Sequence, residues 1–169
     1  KDLTEIEIGN LIKRSEVDAI IFSKKMEKKT MAALEDAGGF VKVRINMDAD
    51  EDSEGVLSWD RLIRKGAALI EDGDREFLDA VIDREAMCTL LFTSGTTGMA
   101  KGVMLSHKNI SANVYNMSKY VKIRQPGGGL SVLPMHHTYE LTCHVFTGLY
   151  QGMFVAICEG LRYIQQNLK

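Results

Sequence analysis

The amino-acid sequence predicts an α/β fold with a mainly parallel sheet flanked by helices. Short apolar runs of strand length alternate along the chain with longer segments whose apolar residues recur at helical spacing. The order of elements in the first half is strand, helix, strand, helix, which favours parallel pairing through helical crossovers. With 45% hydrophobic and 26% charged residues, the 169-residue chain also has the composition of a domain that buries a core.

The chain begins with two predicted helices that alternate with two predicted strands. Residues 5–15 mix apolar and charged side chains as a short amphipathic helix does. Residues 17–23 form an apolar strand. Residues 24–37 predict a lysine-rich helix ended by the glycine pair 38–39, and its lysines are more typical of a solvated face than of an anion site. Residues 41–45 alternate apolar and basic side chains, as a half-exposed or edge strand does.

The middle of the chain leads from an acidic segment to a strand. Residues 48–54 lack the features of a calcium-binding loop, and a solvated loop is the better interpretation. Ser58 is a suitable N-cap for a helix with one apolar face. A second apolar cluster occupies 77–82 and a turn 83–86, and the apolar run 87–92 then indicates a buried strand. The apolar face of the helix consists of Trp59, Leu62, Ile63 and Ile70.

The last part of the chain continues the alternation of strands and helices. Residues 103–105 form an extended segment, and Ser106 is the predicted N-cap of a helix over 107–121. The glycine-rich run 125–129 predicts a turn, with a recognition loop as the alternative. The remaining predicted elements are a strand at 130–134, a largely apolar, buried helix at 141–150, a strand at 153–158 and a helix that begins at Gly160.

The segment that carries chemistry is 93–102, which has the sequence TSGTTGMAKG. Its glycines let the backbone adopt positive φ and turn N–H groups toward one point. Hydroxyls and one ammonium add further donors, and charge-assisted hydrogen bonds to phosphate are about twice as strong as neutral ones. The composition therefore predicts a phosphate-binding loop, whereas a plain surface turn needs no such set of donors. The residues concerned are Gly95, Gly98 and Gly102, Ser94, Thr96 and Thr97, and Lys101.

This loop differs from the P-loop of ordinary NTPases. That motif has a glycine directly before the lysine and a Ser or Thr directly after it, at the start of a helix. Here Ala100 precedes Lys101 and Gly102 follows it, and an extended segment comes next. The hydroxyl that binds Mg²⁺ in P-loop NTPases is thus missing, which disfavours that class.

Residues 92–103 closely resemble the signature of the adenylate-forming, or AMP-binding, superfamily. Its members include acyl-CoA synthetases, luciferases and the adenylation domains of peptide synthetases. Twelve consecutive positions match with one departure, Ala100 in place of the usual proline. The resemblance covers 82–159 closely and the rest loosely. It implies that residues 1–169 form a single partial AMP-binding domain, a central part of the large N-terminal domain of such an enzyme, without the small C-terminal domain.

A second motif, PMHHTYE, occupies 134–140 at the end of a predicted strand. Ligands of open α/β sheets bind beyond the carboxyl ends of strands. The residues alone leave two interpretations open, a pocket near a carboxylate or histidines that cap the next helix or line the core. The superfamily has a Pro-x-x-His motif at this distance, so the resemblance implies that His136 and His137 bind substrate. The run up to Glu140 is most similar to the long-chain fatty acyl-CoA synthetase branch.

The resemblance implies a two-step ligase that uses ATP, Mg²⁺ and CoA. A carboxylic acid, in this branch a fatty acid, is activated as an acyl-adenylate and transferred to the thiol of CoA. Lys101 and His137 are the implied catalytic residues, and no metal ligand is implied within the chain. Preorganised donors are the expected source of rate enhancement. The implied phosphate-binding residues are Thr93, Ser94, Gly95, Thr96, Thr97, Gly98 and Lys101.

Charge and cysteine content limit the other functions that the chain could have. A net charge of -2 offers no basic field for nucleic acid. The sequence contains neither a signal peptide nor an apolar run of the roughly 20 residues that span a bilayer, which favours a cytoplasmic location. The cysteines at 88, 143 and 158 lie in apolar contexts and predict buried free thiols without a zinc site.

Two other classes of function remain open at this stage. A stand-alone phosphate- or nucleotide-binding module would use the same loop without catalysis. A purely structural flavodoxin-like domain would need neither Lys101 nor the loop hydroxyls. On the ligase interpretation the isolated chain should be inactive, because walls of the active site lie outside it. Its apolar C-terminal half predicts self-association.

Overall fold

The computed structural model describes residues 3–37, 39, 41–93, 100–123 and 127–168. By their internal contacts the residues divide into two units, Lys1–Val81 and Ile82–Lys169. Each unit has its own strands and helices.

The first unit is built around a three-stranded parallel sheet in the order β1-β2-β3. Ala19 pairs with Val43 across β1 and β2, and Ile45 pairs with Leu57 across β2 and β3. A helical segment connects β1 to β2, as expected for parallel pairing, whereas residues 47–56 connect β2 to β3 without a helix. The elements are α1 (Glu5–Ser15), β1 (Ala19–Phe22), a 3₁₀ turn (Lys24–Met26), α2 (Glu27–Ala37), β2 (Val43–Asn46), β3 (Leu57–Ser58) and α3 (Trp59–Glu71).

Local hydrogen bonds explain where the helices of this unit begin. The Thr4 hydroxyl accepts a hydrogen bond from Glu7 N at 3.3 Å, and the Glu7 carboxylate accepts one from Thr4 N at 2.7 Å, which together form a capping box. Ser58 caps α3 through a 3.2 Å bond from Arg61 N, as predicted. The core of the unit joins α1 to α2 and consists of Ile12, Leu34, Ala37 and Val41.

The predicted apolar face of α3 and the apolar cluster at 77–82 are largely exposed. Ile63 and Ile70 of α3 are more than half exposed, and Phe77 and Val81 are almost fully exposed. Residues 76–79 form a turn rather than a helix or strand. The spacing of apolar residues therefore predicted the position of the helix correctly. It did not predict the burial of its apolar face, because that face is largely exposed.

The second unit contains an antiparallel pair, β4-β5, and a parallel pair, β6-β7. Two of the three sheets in the described residues are parallel, which confirms the mainly parallel α/β prediction. The β4-β5 pair is antiparallel because only a short segment, 94–100, joins its strands. The elements are β4 (Met87–Thr93), β5 (Lys101–Ser106), α4 (His107–Tyr120), β6 (Gly128–Ser131), a π-helix (Glu140–Phe146), α5 (Thr147–Tyr150), β7 (Phe154–Ile157), a 3₁₀ turn (Leu161–Tyr163) and α6 (Ile164–Asn167).

The strand predicted at 130–134 begins earlier, at Gly128, and ends at Ser131. Gly128 and Gly129 were predicted to lie in a turn, and this is wrong. Gly128 pairs with Phe154 of β7, whose ring covers the Gly128 backbone so closely that an added Cβ would lie 2.0 Å from it. Glycine occurs here because it leaves room for this ring, not because the chain turns.

Burial in the second unit is lower than the apolar sequence predicts. Met87 at the start of β4 is 56% exposed, so the strand predicted as buried is only half-buried. Leu149 and Tyr150 of the helix predicted as buried are also mainly exposed. The three cysteines are free, but Cys88 is exposed and only Cys143 and Cys158 are half-buried. No helix in the described ranges is long and apolar enough to cross a membrane.

Candidate functional site

The two ends of the predicted phosphate loop lie opposite each other on β4 and β5. Thr93, the last residue of β4, is the cross-strand partner of Lys101, the first residue of β5. Directly opposed residues of an antiparallel pair have Cα atoms about 4.5–5.5 Å apart and project side chains from the same face. The Thr93 hydroxyl and the Lys101 ammonium are therefore presented on one side of the pair. Five predicted ligands, Ser94, Gly95, Thr96, Thr97 and Gly98, lie outside the described residues.

Lys101 is an exposed cation at the start of β5. Within the described ranges it forms no ion pair with an acidic side chain, whereas Lys108 on the following helix pairs with Glu85. An ammonium without an acidic partner among these residues can move to an anionic ligand at little cost. The position thus supports the predicted role of Lys101 in phosphate binding.

Gly102 serves a different purpose from the one predicted. It lies in the extended strand β5 opposite Phe92, so it does not contribute a turn with positive φ. A Cβ at this position would lie 3.1 Å from Leu90 Cδ1 and 3.5 Å from the Phe92 ring. The glycine lets these two side chains pack over the backbone next to Lys101.

The two predicted substrate-binding histidines lie in an exposed turn that follows β6. Both His136 and His137 are exposed. The backbone N–H of His137 donates to Pro134 O at 2.9 Å, and the carbonyl of His137 accepts from Leu141 N at 3.1 Å. The Nδ1 atom of His137 accepts a further bond from Tyr139 N at 3.3 Å. Residues 138–139 form a helical turn that leads into the π-helix, and His137 caps this turn, which is one of the two roles considered from sequence.

This capping role leaves the other ring nitrogen of His137 available. A nitrogen that accepts a hydrogen bond carries no proton, so the neutral ring carries its proton on Nε2. That N–H belongs to an exposed side chain and can donate to a carboxylate or phosphate oxygen. Capping and substrate binding are thus compatible functions of the same residue.

The histidine turn lies beyond the carboxyl ends of two parallel strands, as predicted. Ser131 and Ile157 are paired at the ends of β6 and β7, and Cys158 N donates to Ser131 O at 2.9 Å. Ligands of parallel α/β sheets bind at this edge. The turn is therefore at the edge of the sheet where ligands of such folds bind.

A buried carboxylate that the sequence analysis did not single out lies directly after this turn. Glu140 is 3% exposed and accepts a hydrogen bond from His144 Nδ1 at 2.9 Å. Burial raises the pKa of Glu140, but the nearby Ser131 hydroxyl, His144 and the Val132 N–H together hold the pKa below its ordinary value. Among the described residues, Ser131 Oγ is itself buried without a hydrogen-bond partner. The spacing of Glu140 and His144, four residues apart in a helical segment, was the available sequence signal.

The helix that contains Glu140 is a π-helix, a conformation with a wider turn that is often found at functional sites. The Thr147 hydroxyl donates to Thr142 O at 2.8 Å, and both residues are buried. This bond closes the last wide turn. Gly129 on β6 lies under the helix, since a Cβ there would come within 2.5 Å of His144 Nε2 and 2.9 Å of Met153 Cε.

A cavity of about 510 Å³ lies elsewhere in the second unit, among β4, α4 and the helix that follows the histidine turn. It contains none of the predicted site residues and is close to the start of β4, whereas Thr93 is at the end of that strand. The described residues contain no group of three or more His, Cys, Asp or Glu side chains that could hold a metal ion. The cavity is lined by Cys88, Thr89, His107, Ile110, Ser111, Val114, Phe146 and Tyr150.

Sequence comparison identifies proteins that are similar to this chain. A family model described as AMP-binding enzyme matches residues 1–166. The long-chain-fatty-acid–acyl-carrier-protein ligase AEE15 of Arabidopsis thaliana, a chloroplastic protein, is 35% identical over 121 residues, or 68% of this chain and 16% of the relative. The 4-coumarate–CoA ligase 1 of Oryza sativa subsp. japonica is 34% identical over 116 residues, which is 64% of this chain and 20% of the relative. The matches thus span about a fifth or less of the relatives' length.

Solved structures share the fold over almost the whole chain. An anthranilate CoA ligase, AuaEII, in complex with anthranoyl-AMP gives a TM-score of 0.80 at 18% identity, over 99% of this chain and 31% of that protein. A red-emitting luciferase from Phrixothrix hirtus gives a TM-score of 0.73 at 21% identity, over 95% of this chain and 30% of the luciferase. At these identities the likeness establishes the fold, and the fold agrees with the α/β prediction.

Proposed function

Because this chain belongs to the family of AMP-binding enzymes, we propose that it carries the phosphate-binding loop of an ATP-dependent acid–thiol ligase. The observation that carries the proposal is the opposition of Thr93 and Lys101 on β4 and β5. It places a hydroxyl and an ammonium at the two ends of a segment rich in Gly, Ser and Thr, on one face. Such a set of donors suits the polyphosphate of ATP.

The proposed reaction has two steps. A carboxylate oxygen of the acid attacks the α-phosphorus of ATP, the bond to pyrophosphate breaks, and an acyl-adenylate forms. The thiol of CoA then attacks the acyl carbon, loses its proton, and AMP leaves with the bonding electrons. ATP, Mg²⁺ and CoA are the proposed cofactors, and Mg²⁺ when bound neutralises phosphate charge.

Residues of this chain have separate tasks in the first step. Lys101 donates to pyrophosphate oxygens as negative charge develops on the leaving group. Thr93 and the loop residues Ser94, Gly95, Thr96, Thr97 and Gly98 hold the β- and γ-phosphates. The Nε2–H of His137 orients the substrate carboxylate, and His136 lines the same pocket. The bond from Tyr139 N to His137 Nδ1 supports this role, since it leaves Nε2 as the donor.

The proposed acid is a fatty acid. The motif at 134–140 supports this choice, and one relative is named as a ligase of long-chain fatty acids. Another is named as a ligase of 4-coumarate, so an aromatic acid is the competing substrate class. We propose a cytoplasmic location and small-molecule substrates for the enzyme, and self-association for the 169-residue chain.

The proposal treats residues 1–169 as a central part of a longer N-terminal domain. Adenine, ribose and CoA would then bind largely to other residues of the longer polypeptide, here called the complete enzyme. For the same reason the 169-residue chain alone is expected to show no adenylation. Displacing reacting groups by 1 Å can cost about 100-fold in rate, and on this proposal whole walls of the site are formed by residues outside 1–169.

Exchange of radioactive pyrophosphate into ATP by the complete enzyme tests the proposal. We expect exchange that depends on an added acid and is faster with a long-chain fatty acid than with 4-coumarate. Faster exchange with 4-coumarate would reject the fatty acid but keep the ligase. Nucleotide binding without exchange for any acid would reject the ligase and favour a stand-alone phosphate-binding module.

A further inference from the structure

The buried carboxylate of Glu140 has contacts on two different elements of the second unit. One partner, His144, lies one turn further along the same π-helix, with Nδ1 at 2.9 Å from the carboxylate. The Ser131 hydroxyl, in the last residue of β6, and the N–H of the next residue, Val132, are near enough to lower the pKa of the same carboxylate. A buried carboxylate is costly unless such partners compensate for lost hydration. Glu140 therefore connects the end of a strand to the beginning of a helix.

The segment between these two anchor points carries the histidine turn. Residues 133–139 leave β6 after Ser131 and Val132 and return at Glu140. Within the segment, the ring of His137 is held by Tyr139 N, and its carbonyl is held by Leu141 N. These two donors are the residues directly before and after Glu140 in the sequence. A shift of Glu140 must therefore shift both groups that orient His137.

The packing beneath the carboxylate restricts where Glu140 and His144 can move. Gly129 of β6 lies so close to His144 that a Cβ would be 2.5 Å from Nε2. Ser131 Oγ is buried without a hydrogen-bond partner among the described residues, and Ser131 is one of the groups that lower the pKa of Glu140. Polar groups at the end of β6 therefore lie near the Glu140–His144 pair, and the Gly129 backbone of β6 packs closely against His144.

We propose that Glu140 is a positioning residue that fixes the ring orientation of His137 by joining the end of β6 to the π-helix. It acts through hydrogen bonds and touches neither substrate nor nucleotide. This inference rests on the proposed function only in one respect, namely that the oriented His137 ring contacts the substrate carboxylate. The ring orientation itself is a property of the chain and can be measured without substrate.

Nitrogen NMR of the histidine rings tests the orientation in the 169-residue chain. The chain contains four histidines, so their ring signals can be assigned individually. Wild type should show His137 as a single Nε2–H tautomer. Glu140→Gln keeps the length of the side chain and an acceptor oxygen for the N–H of His144 Nδ1, so it should keep that tautomer. Glu140→Asp and Glu140→Ala cannot bridge both elements and should give a mixture of tautomers.

The test does not depend on any single variant of Glu140, and it includes a control at an exposed carboxylate elsewhere. If Glu140→Ala does not fold, Glu140→Asp and Glu140→Gln can still be compared. Both keep a polar group at this position, but only the aspartate side chain is shorter than that of glutamate. Glu85→Gln removes an exposed carboxylate whose surface pair with Lys108 contributes little, and it should leave His137 unchanged. A single Nε2–H tautomer in folded Glu140→Asp or Glu140→Ala would overturn the proposal.

Kinetics of the complete enzyme then test the positioning role of Glu140 separately from the catalytic role of His137. Glu140→Asp should lower kcat for adenylation by up to about 100-fold, the effect of a misplaced reacting group, whereas KM for ATP should change little. Glu140→Gln should recover most of the rate. If the His137 tautomer is lost but adenylation is unchanged, the positioning role stands and the assigned role of His137 in catalysis is wrong.

Discussion

Thr93 and Lys101 are directly opposed across the antiparallel β4-β5 pair, at the two ends of segment 94–100. The distance between the ends of the proposed phosphate-binding loop is therefore determined by the register of β4 and β5. A strand pair holds the two side chains on one face before any ligand binds. Such preorganisation is the property that catalysis by electrostatic stabilisation requires.

Replacement of Lys101 by alanine should slow adenylation by the complete enzyme about 100- to 1000-fold, the usual cost of losing one preorganised donor. The affinity for the substrate carboxylic acid should change far less, because the Lys101 ammonium acts on the departing pyrophosphate. Pyrophosphate exchange and equilibrium binding of the acid measure the two effects. Lys119→Ala, which removes an exposed lysine that contacts only the Tyr115 ring among the described residues, is the matched control. Exchange within about twofold of wild type for Lys101→Ala would show that its assigned role is wrong.

Alanine at Gly129 should destabilise the second unit by about 1–3 kcal/mol, the usual cost of overpacking a filled interior. The added methyl group would lie within 2.5 Å of His144 Nε2 and 2.9 Å of Met153 Cε. Urea unfolding of the chain, followed by circular dichroism, measures the change. Gly66→Ala in α3 is the control, because no atom lies within 4 Å of its Cβ position and alanine favours a helix by about 1 kcal/mol over glycine. Equal effects at both glycines would contradict the packing described for β6.

The Glu140 carboxylate should contribute stability that depends on pH. Folding lowers its pKa below the ordinary value of 4.5, so the folded state favours the ionised form more than the unfolded state does. The contribution is thus complete above pH 4.5 and is lost as the pH falls through the lower value of the folded state. The difference in unfolding free energy between wild type and Glu140→Gln should shrink in that acidic range. A difference that stays constant from neutral pH to the acid limit of folding would exclude this linkage.

The C-terminal part of the chain is predicted to mediate self-association. Phe154 and Ile157 of β7 are about two-thirds exposed, and within the described residues β7 pairs only with β6. An unpaired apolar strand edge is a template for pairing with another copy. Light scattering over a dilution series should show a mass that rises with concentration. The variant Phe154→Lys should lower it, and a monomeric mass of the wild-type chain at every concentration would refute the prediction.

Helix starts could be predicted because they depend on neighbouring residues. Ser58 and Ser106 were identified as N-caps, and each accepts a bond from the N–H three residues later. That contact lies within one helical turn, so a short stretch of sequence contains both partners. The family likewise followed from twelve consecutive residues at 92–103, and the family model agrees.

The sequence by itself determined the order of strands and helices, the family and the positions of Lys101 and His137 within their motifs. Only the tertiary structure decided that Gly128 and Gly129 lie in a strand, that Glu140 is buried, and that Thr93 faces Lys101. Each of these facts depends on a partner that is distant or on another element: the Phe154 ring, the end of β6, the register of β5. Periodicity reports which side of an element is apolar, whereas burial and register are set by whatever the fold brings against that side.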